Sequence, residues 1–241
     1  MNLAFDAGWI VARFTGSVLM GARVVGQEHV PLTGGLVLAS NHISYFDPPL
    51  VGCYLKRRGH FFAKKELFDM PVLGLYVKSA NSHPVRRGGF DRNAIETAIS
   101  VLQQGNMLTL FPEGTRGRNG KLLEPKAGVG KIARAALVPI VPCFIHNAEK
   151  FTECLTRKRR LLISYGEPLS ADWIGALPDT KESWIQIAQE VMRRIKELKC
   201  QAVGDETDAD KDCSNADAKE CSAELKSSGG NESNEDQTRA M

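Results

Sequence analysis

His42 and Asp47 are spaced for proton transfer. An imidazole exchanges a proton near neutral pH. A carboxylate five residues on can fold back, fix the ring's tautomer and stabilise the imidazolium that forms. An arbitrary His and Asp at this spacing is more often a strand cap and a helix N-cap. A second constellation shifts that balance. Phe111-Pro112-Glu113-Gly114-Thr115-Arg116 offers an acid, a glycine turn and a guanidinium whose planar fork suits a phosphate.

Both constellations follow short apolar runs. Leu36-Val37-Leu38-Ala39 precedes Ser40-Asn41-His42, and Met107-Leu108-Thr109-Leu110 precedes Phe111. Each run reads as a buried strand delivering polar residues to its C-terminal end. Asp47-Pro48 then starts a helix, with Asp as N-cap and Pro at the first position. In open α/β sheets ligands bind in the crevice outside the strand C-termini, so one shared site is expected.

These stretches resemble the first and third motifs of the glycerolipid acyltransferases, and in particular the 1-acylglycerol-3-phosphate acyltransferases. Pro84-Val85-Arg86-Arg87 is similar to the second motif, with Arg87 at its basic position and Arg86 where an acid often stands. Val138-Pro139-Ile140-Val141-Pro142 resembles the fourth. The resemblance covers roughly residues 20 to 170, in order and spacing. It implies an α/β domain with a mixed, largely parallel sheet flanked by helices. It also implies acyl transfer from a thioester to the sn-2 hydroxyl of lysophosphatidate, giving phosphatidate. His42 and Asp47 would be catalytic. Lys64, Arg87, Glu113, Gly114, Thr115 and Arg116 would bind substrate, with Glu113 holding Arg116 or bonding the acceptor's polar groups. Another lysolipid acceptor, or a non-catalytic lipid-binding module on the same scaffold, stays open.

For that reaction His42 would be the general base, a contribution on the order of 10²–10⁴ in rate. A thiolate leaves with a conjugate-acid pKa of about 8.5 and needs little acid assistance. No Gly-x-Ser-x-Gly or Gly-x-Cys-x-Gly elbow occurs, so direct attack in a ternary complex is expected. Ser44 is read as a turn residue. Backbone N–H groups around Gly114 would serve the oxyanion. Neither a cofactor nor a metal is expected, because His42 and Asp47 have no further ligands in recognisable spacing. The donor is acyl-CoA or acyl-carrier protein.

The 241 residues carry a net charge of +3. Residues 201–241 hold 11 acidic against 4 basic side chains, and residues 1–200 hold 17 against 27. The basic part suits an anionic membrane surface or phosphorylated substrates. No nucleic-acid motif accompanies it. Six cysteines without Cys-x-x-Cys spacing fit a reduced setting. Asp6 and Arg13 interrupt the N-terminal apolar run, so no signal peptide is expected.

Three regions follow. Residues 1–25 read as an amphipathic helix lying in the membrane interface with Trp9 as its anchor; packing on the protein's own core is the competing reading. Residues 26–200 form the acyltransferase domain. Residues 201–241 hold almost no large apolar side chain and read as a disordered acidic tail. The expected location is the cytoplasmic face of the cell membrane, peripheral or monotopic. Lys56-Arg57-Arg58 reads as a solvated face that could also touch lipid phosphates. Gly128-Val129-Gly130-Lys131 fails as a phosphate loop, because Pro125 and Ile132 stand where it needs Gly and Ser/Thr.

Overall fold

All five residues of Leu36–Ser40 are buried, and this strand pairs on both sides. In the computed structural model, residues 3–85, 91–117 and 121–209 are described. The elements in chain order are α1 (Leu3–Phe14), β1 (Arg23–Val25), β2 (Leu36–Ser40), α2 (Asp47–Cys53), β3 (Gly59–Lys64), α3 (Pro71–Ser79), β4 (Ser82–Val85), α4 (Arg92–Gln103), β5 (Met107–Leu110), α5 (Gly128–Ala136), β6 (Ile140–His146), α6 (Phe151–Leu155), β7 (Leu162–Tyr165), α7 (Ala171–Ala176) and α8 (Lys181–Ala209). Residues 1–198 group as one compact unit and 199–241 as another.

The sheet order is β1-β7-β6-β2-β5-β3-β4. The five strands from β6 to β4 are mutually parallel, and β7 with β1 runs the other way. This is the mixed, largely parallel sheet that the resemblance implies. The chain steps outward from β2 to β3 and β4, then returns to insert β5 beside β2 and to place β6 on its far side. That reversal brings the C-terminal ends of β2, β5 and β6 together, where Ala39 is in register with both Leu110 and Pro142. It is the switch point of an open α/β sheet.

Alternation along β2 splits the core. Leu36 and Leu38 join Met107, Val141, Cys143 and Ile163 in one cluster with Leu50, Val51 and Tyr54 from α2 and its end. Val37 and Ala39 point to the opposite face. There α5 and α8 meet at Gly130, where a side chain would strike the Trp184 carbonyl at 2.1 Å. Asp91 caps α4 by accepting the Ala94 N–H, and Gly105 ends it at φ +80°.

Several elements depart from the sequence reading. Helix α8 runs through residues 201–209, where composition predicts no structure. A helix already formed extends at little cost per residue, and this stretch contains Ala and Glu. Residues 210–241 lie outside the described residues. The short helices α6 and α7 give no clear periodic signal. Cys53, Cys143 and Cys154 are buried free thiols.

Two residues of the basic run after α2, Arg57 and Arg58, make structural contacts. Arg57 donates to the carbonyls of Pro31, Thr33, Gly34 and Gly105, which lie before β2 and β5, at the sheet edge opposite His42. Arg58 pairs with Asp6 and ties α1 down. Helix α1 packs on α2 and α3: a side chain at Gly8 would meet the Tyr76 ring, and Trp9 lies against Gly52. Trp9 therefore turns inward to the core cluster, not outward as an anchor. Ile10, Val11, Phe14 and Val18 stay exposed on the other side. The packing reading of this helix therefore holds for the Gly8–Trp9 face.

Candidate active site

Strand β2 ends by handing its polar residues to three different partners. The Asn41 side chain donates to the Ile145 carbonyl at 2.9 Å and accepts the Ile145 N–H at 2.8 Å. It replaces a ladder rung and locks the start of the turn to β6. His42 Nδ1 lies 2.8 Å from Asp47 Oδ2. The same oxygen accepts the N–H groups of Ile43 at 2.6 Å and Ser44 at 2.8 Å. Asp47 is thus not the N-cap that its place before Pro48 suggests. It is the first residue of α2, and its carboxylate turns back into the loop. The two prolines that follow supply no N–H for it to cap.

A carboxylate only accepts, so Nδ1 carries the proton and Nε2 presents a lone pair. Among the described residues Nε2 has no partner. The imidazole stacks on Phe111 with centroids 4.2 Å apart and 23° between planes. Ser44 Oγ accepts the Phe46 N–H at 3.3 Å, the turn role expected of it. Cys143 lies in β6, paired with Ser40; burial pushes its thiol up to about 12, which makes it no nucleophile.

The turn after β5 clasps this loop. Glu113 Oε1 accepts the backbone N–H of His42 at 3.0 Å, and Oε2 accepts that of Leu123 at 2.9 Å. The Gly117 N–H donates to the His42 carbonyl at 2.7 Å. Glu113 is only 2% exposed. Burial raises its carboxyl pKa, partly offset by the two N–H donors. It does not hold Arg116, contrary to the sequence reading, because its oxygens are turned to the backbone. Arg116 instead lies over the Tyr45 ring, its guanidinium carbon 3.5 Å from the centroid.

A buried imidazole–carboxylate dyad with a free ring nitrogen at a sheet's switch point has the geometry to act as a general base. A family model described as acyltransferase matches residues 21–146. The chain belongs to the acyltransferase family. It is 32% identical over 179 residues to the 1-acyl-sn-glycerol-3-phosphate acyltransferase of Bacillus subtilis, covering 74% of this chain and 88% of that protein. The mouse 1-acyl-sn-glycerol-3-phosphate acyltransferase alpha is 32% identical over 193 residues, 72% of this chain and 66% of its own. The crystal structure of the LPA acyltransferase PlsC from Thermotoga maritima superposes with a TM-score of 0.64 at 26% identity, covering 81% of this chain and 79% of that one.

In this acyltransferase the remaining expected residues separate. Lys64 ends β3, parallel to β2, so it is exposed on the same edge as His42. Gly114 and Thr115 are exposed in the turn. Gly114 adopts φ +67°, and its own N–H is taken by the Phe111 carbonyl at 3.0 Å. Arg87 lies outside the described residues. Asn41, Tyr45, Phe111 and Lys126, whose amine reaches the Gly114 turn, are contacts that sequence reasoning did not assign. Tyr45 and Phe111 sit inside the motifs, so proximity in sequence could have flagged them; Lys126 carries no such signal.

Proposed function

We propose that this acyltransferase moves a fatty acyl group from a thioester to the sn-2 hydroxyl of 1-acylglycerol 3-phosphate. The observation that carries the chemistry is the 2.8 Å His42–Asp47 contact with Nε2 left over. His42 Nε2 takes the hydroxyl proton as the oxygen attacks the thioester carbonyl. The tetrahedral intermediate collapses with departure of the thiolate. Asp47 holds the ring and offsets the imidazolium. Among the described residues the N–H groups of Thr115 and Arg116 have no acceptor, and they are the donors proposed for the oxyanion. Arg116, with Lys64 and Arg87, is assigned to the acceptor phosphate. The acceptor named for the relatives supports that choice. No cofactor enters the reaction; acyl-CoA or acyl-carrier protein is the donor.

The membrane surface is the proposed source of the acceptor. No helix among the described residues is long and apolar enough to cross a bilayer. The exposed side chains of α1, with Ile10 at 69% and Phe14 at 57%, suit a helix lying in the interface. Met70 and Leu75 of the neighbouring α3 region are exposed as well. The cytoplasmic face is the side where the proposed donors are found.

The test is an acceptor panel with both donors, read by mass spectrometry of the lipid product. Phosphatidate from lysophosphatidate is expected. Selective product from another lysolipid would overturn the acceptor assignment, and no product from any acceptor would favour a binding module.

A further inference from the structure

Arg116 reaches the site with its charge intact. The obvious carboxylate for it, Glu113, lies three residues away but is spent on the His42 and Leu123 N–H groups. Among the described residues no acid pairs with Arg116. Its partner is the face of Tyr45, at 3.5 Å. An acid would take guanidinium N–H donors and cancel the charge. A ring holds the flat face by its quadrupole and leaves the donors free at the guanidinium edge. Tyr45 itself is 75% exposed, so this ring is not a core residue that happens to touch an arginine.

The placement is also tied to the base. Tyr45 stands between His42 and Asp47, in the turn that the Asp47 carboxylate organises through the Ile43 and Ser44 N–H groups. The Arg116 turn is joined to the same place by the Glu113–His42 and Gly117–His42 bonds. Ring and guanidinium thus bridge the two loops on their solvent side, while Glu113 bridges them on the buried side.

We propose that Tyr45 is a positioning residue for acceptor recognition: its ring holds the un-neutralised guanidinium of Arg116 beside the His42 turn, where it takes the acceptor's phosphate monoester. This rests on the acyl-transfer reading above. Tyr45 neither donates nor accepts a proton in the reaction. It sets how firmly the phosphate is gripped, and so acts on acceptor binding.

The experiment compares Tyr45→Leu, Tyr45→Phe, Arg116→Ala and the Tyr45→Leu/Arg116→Ala double variant on lysophosphatidate and on 1-acylglycerol, its phosphate-free analogue. Tyr45→Leu should raise the lysophosphatidate KM about five- to tenfold, the size of one cation–π contact, with kcat and donor KM within about twofold. Tyr45→Phe keeps the ring and should match the wild type. The double variant should be no worse than Arg116→Ala, because the two residues act as one unit. Turnover of 1-acylglycerol should not respond to Tyr45→Leu. The proposal is overturned if Tyr45→Leu leaves the lysophosphatidate KM unchanged while Arg116→Ala raises it, if Tyr45→Phe behaves like Tyr45→Leu, or if kcat falls instead of KM rising. If Arg116→Ala also leaves that KM unchanged, the phosphate reading of the site falls with it. Melting curves of each variant separate these outcomes from unfolding.

Discussion

The Glu113 carboxylate accepts the backbone N–H of His42 at 3.0 Å, so an acid carried on one strand end fixes the main chain of the base carried on another. This makes Glu113 a brace for the His42 loop. Its second oxygen holds Leu123, which pulls the chain after the Arg116 turn onto the same anchor. Glu113→Gln keeps the shape but offers one accepting oxygen in place of two. It should lower kcat about 10- to 100-fold with acceptor KM little changed, because a displaced base loses its attack geometry. It should also cost about 1–3 kcal/mol for the buried N–H left unmatched. Steady-state kinetics and a denaturant melt check the two effects; a raised acceptor KM at constant kcat would return Glu113 to the binding role.

The buried carboxyl of Glu113 also gives stability a pH dependence. Burial raises its pKa above the ordinary 4.5. The folded state therefore holds this proton to higher pH than the unfolded chain does. The contribution is fully present below pH 4.5 and is lost as pH rises through the raised native value. Wild type should lose stability relative to Glu113→Gln over that window as pH increases. Parallel melts of the two proteins from pH 4 upward measure it; a wild-type advantage that grows with pH would contradict the assignment.

Asp47→Asn isolates the electrostatic part of the dyad. The Oδ2 atom alone receives His42 Nδ1 and two backbone N–H groups, while Oδ1 is buried without a hydrogen-bond partner. An amide placed with its oxygen at the Oδ2 position keeps the turn and removes the charge. Folding should survive and kcat should fall on the order of 10²–10⁴, since the imidazolium loses its counter-charge. His42→Ala should abolish transfer and leave lysolipid binding largely intact. Turnover within tenfold of wild type in Asp47→Asn would mean the acid serves the turn alone.

The sheet and the His42–Asp47 pair are legible in the sequence for local reasons. Leu36–Ala39 and Met107–Leu110 are short apolar runs ended by polar residues, and Pro48 marks the helix start. Contacts between turns are not legible. Nothing local says that Glu113 faces the His42 N–H 71 residues away, or that Arg116 lies over Tyr45. The charge pattern suggests the opposite, an acid and a base three apart forming their own pair. Arg57 misleads similarly: a basic run reads as a solvated face, but four carbonyls gathered by the fold claim its guanidinium. Trp9 reads as an anchor because composition cannot say which side of an amphipathic helix finds the core.

Gly114→Ala tests the shape of the turn. The residue sits at φ +67°, and an added Cβ would come within 3.0 Å of the Lys126 side chain. Lysine's far end can move, so the backbone conformation carries most of the cost, about 1–2 kcal/mol. The turn sets where the Thr115 and Arg116 N–H groups point, so kcat should fall more than stability predicts. A variant with wild-type kcat and a lowered melting temperature would show that this turn does not shape the oxyanion site.

The two faces of α1 make opposite predictions. Ile10 and Phe14 are exposed, so Ile10→Ser/Phe14→Ser should leave the melting temperature nearly unchanged. Each loses about 1.5–3 kcal/mol of apolar burial in the interface, enough to weaken vesicle binding by 10-fold or more. Trp9 packs inward against Gly52 and the core cluster, so Trp9→Ser should do the reverse. It should cost about 1–3 kcal/mol of stability, less than a fully buried Trp would, because Trp9 is only partly buried. Any Trp9→Ser protein that remains folded should bind vesicles normally. Sedimentation with anionic vesicles, run beside thermal melts, reads both. A soluble, unchanged Ile10→Ser/Phe14→Ser enzyme that still sediments with lipid would move the membrane surface elsewhere, to the exposed side chains around Met70 and Leu75.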